Sequence, residues 1–207
     1  MLATQMCLAI SRGDEWLGFQ TTKSRVLYLQ LEVPPIQLHN RMMKMMQNKN
    51  GTGHENFWLW YEPSLLLDTV EGAMRLEQRL EELRPQVLVI DPVYKVVTDT
   101  DKATTFINQI DRLKDKFGLS ILMVHHPRKE GGDAKKEAKA FGFSDDMLGA
   151  STFLNWADSI IRVERKSFET IKVSFENMRN AEYELPPREF DFNTTTLSFT
   201  TSSGRKV

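Results

Sequence analysis

Cysteine is nearly absent: Cys7 stands alone among 207 residues, which excludes an internal disulfide and a cysteine-built zinc site. Histidine is scarce as well. Of the four, only His125 and His126 are adjacent, which argues against a histidine-built metal centre. No stretch approaches the roughly 20 apolar residues that a bilayer-spanning helix needs. Neither sign of charge dominates. The 27 Lys and Arg meet 28 Asp and Glu for a net charge of −1, which excludes a strongly basic nucleic-acid coat but leaves room for a local basic patch. There are no internal repeats and no low-complexity tract. Met1 to Ile10 is apolar, but it lacks a basic leader, and Arg12, Asp14 and Glu15 follow at once. It reads as a helix and not as a signal peptide, so a cytoplasmic location is the expectation.

What is present is ordinary for one globular domain: 41% apolar and 27% charged residues in a chain long enough to bury a full core. Leu2, Ala3, Met6, Ala9 and Ile10 recur at helical spacing, closed by Ser11-Arg12-Gly13. Val26 to Leu31 is a mostly apolar strand, ended by Pro34-Pro35. Ile36, His39, Met42, Met43 and Met46 are expected to line one side of a second helix. Asn48 to His54 reads as a polar loop, and Phe57 to Tyr61 as a short strand. Ala73, Leu76, Leu80 and Leu83 mark a third helix, stopped before Pro85. Val87 to Ile90 is a second continuous apolar strand. Ala103, Phe106, Ile107, Ile110, Leu113 and Phe117 mark a fourth helix, with Thr100 or Asp101 as its expected N-cap. Leu119 to Val124 is a third apolar strand. Strands that are apolar on both faces and alternate with helices predict an α/β fold with a mostly parallel, helix-covered sheet. The pattern then changes. Pro127 to Asp146 has no apolar period and reads as a long loop. A short helix at Ala150 to Ala157 follows, and then four strand-like segments, Ser159–Val163, Thr170–Phe175, Glu189–Phe192 and Thr196–Phe199. Their joins predict antiparallel hairpins at the C-terminal end, and Ser202 to Val207 a frayed tail.

Each of the three apolar strands ends in a polar residue: Glu32, Asp91 and His125. In a parallel sheet these ends share the edge where open α/β folds bind ligands. Polar strand ends are also cheap, since every strand must meet water somewhere, so position alone decides nothing. The residue types say more. An aspartate after four apolar residues is the Walker B pattern, whose carboxylate holds Mg²⁺ beside nucleotide phosphates. A glutamate on the neighbouring strand end suits the activation of a water.

Val26 to Glu32, Leu88-Val89-Ile90-Asp91-Pro92, Met123-Val124-His125-His126-Pro127, Gly149-Ala150-Ser151-Thr152 and Ala157 to Arg162 together resemble the RecA-like P-loop ATPases of the RepA helicase type. The resemblance runs from Met1 to about Phe199. It implies ATP and Mg²⁺, a homo-oligomeric ring such as a hexamer, and single-stranded DNA as partner in replication or recombination. By matching position, Glu32 resembles the catalytic glutamate and Asp91 the Walker B aspartate. His125 or His126 resembles the γ-phosphate sensor, and Arg162 the arginine finger. Arg179 resembles the arginine of a Lys-x-Arg element whose lysine is replaced here by Asn177.

One departure stands out. No G-x-x-x-x-G-K-[ST] string occurs in the 207 residues, although this family needs it to wrap the phosphates with backbone N–H groups and to place a lysine on them. The nearest string, Gly18 to Ser24, has Thr22 in place of the second glycine and precedes a strand. The resemblance implies a chain that starts just after this loop: residues 1–201 as an ATPase core without its first strand and P-loop, and 202–207 as a flexible tail. Impaired ATP binding is the expectation, and a non-hydrolysing module for assembly or DNA binding stays open beside the enzyme. The long loop carries Arg128, Lys129, Lys135, Lys136 and Lys139, with Phe141 and Phe143 following, a set that suits single-stranded DNA as well as a solvated loop. Among the clustered methionines Met42, Met43, Met45 and Met46, two are expected in the core. His39, His54 and Lys95 are expected at the surface.

Overall fold

The computed structural model describes residues 1–46, 55–97, 102–125 and 150–201. The elements in chain order are α1 (Leu2–Arg12), β1 (Val26–Gln30), α2 (Pro35–Met46), β2 (Phe57–Tyr61), α3 (Val70–Leu83), β3 (Val87–Asp91), a 3₁₀ turn (Val93–Lys95), α4 (Ala103–Phe117), β4 (Ser120–Met123), α5 (Ala150–Trp156), β5 (Ile160–Arg165), β6 (Thr170–Glu176), β7 (Arg188–Asn193) and β8 (Ser198–Thr201). The strands form two four-stranded sheets. One is parallel with order β2-β1-β3-β4, and the other is antiparallel with order β5-β6-β7-β8. The C-terminal hairpins thus form a sheet of their own, where the sequence pattern had them appended to the first.

By its internal contacts the chain divides into two compact units. One comprises Met1–Val26, Val33–Trp58 and Ala157–Val207, the other Leu27–Glu32 and Leu59–Trp156. In the first, the antiparallel sheet packs Ile171, Val173, Phe190 and Phe199 with Ala9 of α1 and with Trp16 and Leu17. Gln5 on α1 acts as a mock strand against β8. Its Nε2 donates to the Phe199 carbonyl and its Oε1 accepts from the Phe199 N–H, both at 2.8 Å. Helix α1 stops where Gly13 takes a left-handed conformation, φ 76°, that glycine adopts without strain.

In the second unit the parallel sheet supplies the core. Leu27 to Gln30 are all buried, as are Leu88, Val89 and Ile90, as expected of a sheet covered on both faces. Helix α3 begins at Thr69, whose hydroxyl accepts the Gly72 N–H at 3.1 Å. Helix α4 buries Ala103, Phe106, Ile107, Ile110 and Leu113, the apolar stripe its period predicts. Glu77 on α3 accepts both Arg112 Nη1 at 3.1 Å and Arg112 Nη2 at 2.7 Å, and also Lys116 Nζ at 2.7 Å, which ties α3 to α4.

Three local expectations change. The α4 cap is Lys102, with no side-chain capping bond, because the helix starts later than the Thr100 or Asp101 reading assumed; those two residues lie outside the described set. Helix α2 buries Leu38, Met42, Met45 and Met46, while Ile36, His39 and Met43 are exposed. Three methionines are therefore in the core, and the buried face is rotated by about one residue. The Asn48–His54 loop and the tail 202–207 also lie outside the described residues.

Candidate functional site

The sheet order puts β1, β3 and β4 side by side, so their carboxyl ends share one edge of the second unit. Glu32 lies two residues beyond β1, Asp91 is the last residue of β3, and His125 lies two beyond β4. The structure thus brings these three predicted residues to the same edge. Backbone bonds pin the Asp91 segment to both neighbours. The Leu31 N–H donates to the Asp91 carbonyl at 2.9 Å, the Val124 N–H to Ile90 at 2.9 Å, and the Val93 N–H to Val124 at 2.8 Å. The Asp91–Pro92 peptide is cis.

Three residues that the sequence reading passed over complete the site. Tyr28 is fully buried and donates its hydroxyl to Asp91 Oδ2 at 2.5 Å. Gln30 is also buried, with its Nε2 at 3.5 Å from the same oxygen, while its Oε1 accepts the N–H groups of Leu31 and Glu32 at 3.0 and 2.8 Å. The half-exposed Tyr94, on the 3₁₀ turn, donates its hydroxyl to Glu32 Oε1 at 3.3 Å. Partial desolvation, then the charge and hydrogen bond of Glu32, then the charge of Asp91 push the Tyr94 phenol above its ordinary value. One phenol therefore senses both carboxylates. A signal existed in the sequence: in a strand, residues 28, 30 and 32 face the same side, and a glutamine in an otherwise apolar buried run is an unusual choice.

The donor set fits a magnesium ion brought in with a nucleotide. Asp91 Oδ1 accepts no hydrogen bond among the described residues, and no group of three or more His, Cys, Asp or Glu there could cage a metal. Mg²⁺ sites usually join one or two carboxylates to substrate phosphates and water, so one open carboxylate oxygen matches that pattern and an all-protein cage does not.

The predicted arginines lie in the first unit. Arg162 on β5 is held by Glu176 in a two-pronged ion pair, Nε to Oε1 at 2.8 Å and Nη2 to Oε2 at 3.1 Å. Arg179 is exposed, with its Nη1 3.7 Å from Asp158 Oδ1 and its backbone N–H on the Asp158 carbonyl at 3.0 Å. Asn177 takes a left-handed conformation, φ 51°, and its Nδ2 donates to the Ala157 carbonyl at 3.1 Å. Asparagine tolerates that backbone better than lysine does, which accounts for the residue at this position. His126 and the basic residues Arg128, Lys129, Lys135, Lys136 and Lys139 lie outside the described residues. A cavity of about 270 Å³ in the first unit is lined by Gln5, Leu8, Arg12, Met45, Met46 and Phe199, among others, and by none of the predicted site residues.

Residues 1–132 match the AAA_25 family, described as an AAA domain. Among solved structures, the ATPase domain of a helicase is similar, with 9% sequence identity, a TM-score of 0.60, and coverage of 86% of this chain and 74% of that one. At that identity the likeness concerns the fold, which is RecA-like. No curated protein matches the chain. No described helix is long and apolar enough to cross a membrane.

Proposed function

The chain belongs to the AAA_25 family of AAA domains, and from that premise we propose that it is the ATPase core of a RepA- or DnaB-type helicase, acting in the cytoplasm on DNA in replication or recombination. The observation that carries this reading is the pair of carboxylates Glu32 and Asp91 on one sheet edge, bridged by the backbone and by Tyr94. Asp91 would hold, through its open oxygen, the Mg²⁺ that accompanies ATP and neutralises charge on the phosphate oxygens. Glu32 would orient and deprotonate the attacking water. His125 or His126 would hydrogen-bond the γ-phosphate and report its loss to the loop that follows. Arg162, or Arg179 in its place, would reach a neighbouring subunit's phosphate in a ring such as a hexamer. For Arg162 that requires releasing Glu176. Arg128, Lys129, Lys135, Lys136 and Lys139 would meet single-stranded DNA, where cations near aromatics give sequence-tolerant contacts.

The extent of the core is 1–201 in this reading. Strand β4 ends its sheet, and Ile121, Leu122 and Met123 on it are only half-buried. A further parallel strand carrying a phosphate loop would pair there. These 207 residues contain no Gly-Lys-Ser/Thr string, and that specific observation keeps a second reading in play: a RecA-fold module that assembles or binds DNA without hydrolysing ATP. The test is ATP hydrolysis, with and without single-stranded DNA, by the 207-residue protein and by a form extended at Met1 with a strand and a G-x-x-x-x-G-K-[ST] loop. The enzyme reading expects background turnover in the first and DNA-stimulated turnover in the second. An extended form that binds DNA but never turns over supports the module instead.

A further inference from the structure

Tyr28 and Gln30 are the two most buried polar side chains at the site, and the proposed chemistry gives neither a role. Both point their donors at one atom. Tyr28 Oη lies 2.5 Å and Gln30 Nε2 3.5 Å from Asp91 Oδ2. The Gln30 amide cannot turn over cheaply, because its Oε1 already accepts the Leu31 and Glu32 N–H groups. That bond pattern fixes which end faces the carboxylate. A carboxylate offers two oxygens to its surroundings. Here one is taken by donors from β1, and the other accepts nothing among the described residues. The same amide also holds the backbone that carries Glu32, so one buried side chain aligns both carboxylates.

We propose that Tyr28 and Gln30 are positioning residues that clamp Asp91 by Oδ2 and leave Oδ1 as the oxygen presented to a divalent cation. The inference rests on reading Asp91 as the metal-holding residue. A tyrosine that merely satisfies its buried hydroxyl on the nearest acceptor would affect stability and leave metal affinity alone. The clamp affects metal affinity directly, since outer partners that orient a ligating group typically set 10–100-fold in binding.

The test uses Mn²⁺ as probe, with the free ion followed by electron paramagnetic resonance in titrations of the 207-residue protein. Asp91→Asn should abolish binding. Tyr28→Phe, which keeps the ring and removes only the hydroxyl, should weaken it by about tenfold, with little change in far-UV circular dichroism. Tyr183→Phe, at an exposed tyrosine, should match the wild type. Wild-type affinity in Tyr28→Phe, with binding lost in Asp91→Asn, overturns the clamp and leaves the Asp91 reading intact. Unchanged binding in Asp91→Asn overturns both. A metal-free readout covers the geometry itself. The Gln30 side-chain amide resonances should move in Asp91→Asn and in Tyr28→Phe, and resonances that stay put in both overturn the clamp.

Discussion

Replacing Glu77 by glutamine probes how strongly charge holds α3 on α4. Glu77 receives Arg112 and Lys116, which hold its carboxyl down to about 2 from an ordinary 4.5. At 1.36 kcal/mol per pKa unit that drop sets a ceiling of about 3.4 kcal/mol. The ceiling is far from reached in water. Arg112 and Lys116 leave 54% and 44% of their side-chain surface exposed, and Lys116 keeps Glu81 as a second partner at 2.9 Å. Exposed pairs are worth about 0.2–1 kcal/mol each, so Glu77→Gln should cost about 1 kcal/mol at pH 7 and low salt. For a chain of this size that is a fall of about 2–4 °C in melting temperature. The sign with pH follows from the lowered value. The folded state holds the charged form more strongly than the unfolded state does, so the contribution is whole above about 4.5 and is lost as pH falls towards about 2. Thermal melts of both proteins from pH 7 down to pH 2, and at high salt, make the assay. The gap should close on acidification and shrink in salt. A gap that widens as pH falls, or none at pH 7, refutes the reasoning.

Gly72→Ala should destabilise despite alanine's better helix propensity. A Cβ there would stand 1.9 Å from the Leu66 carbonyl oxygen, which is backbone and cannot swing away, and overpacking costs about 1–3 kcal/mol against a propensity gain of at most about 1; urea unfolding with an unchanged midpoint would contradict this. Arg162→Ala should cost no more than about 1 kcal/mol of stability as a cross-strand pair with Glu176. As an arginine finger it should nonetheless lower turnover of the extended form by about 10³-fold or more, and mixing with a Glu32→Gln partner should restore part of it; steady-state kinetics of the mixtures decide.

The parallel core was legible because its strands are apolar on both faces. Val26 to Leu31 and Val87 to Ile90 leave no other assignment of that length, and the polar residues that end them mark the functional edge. Helix α2 was harder. Ile36, His39 and Met43 form as good a stripe as Leu38, Met42, Met45 and Met46, and only tertiary packing chooses between two stripes that share Met42 and Met46. The Tyr28, Gln30 and Tyr94 contacts were out of reach for a different reason. Tyr28 and Asp91 are 63 residues apart in the chain, and no pattern within β1 says which oxygen of which carboxylate its hydroxyl will meet. That depends on the register between β1 and β3, which local sequence does not carry.

The central claim is that Asp91 and Glu32 divide metal binding from water activation, and a comparison of Asp91→Asn with Glu32→Gln in the extended form tests it most directly. Calorimetric binding of Mg²⁺–ATP and single-turnover hydrolysis are measured on both. The account predicts that Asp91→Asn loses Mg²⁺-dependent ATP binding and turnover together. Glu32→Gln should keep binding within a few-fold while hydrolysis falls by about 10²–10⁴, the range for loss of a general base. Turnover indifferent to Glu32→Gln, or Mg²⁺–ATP binding indifferent to Asp91→Asn, would contradict it.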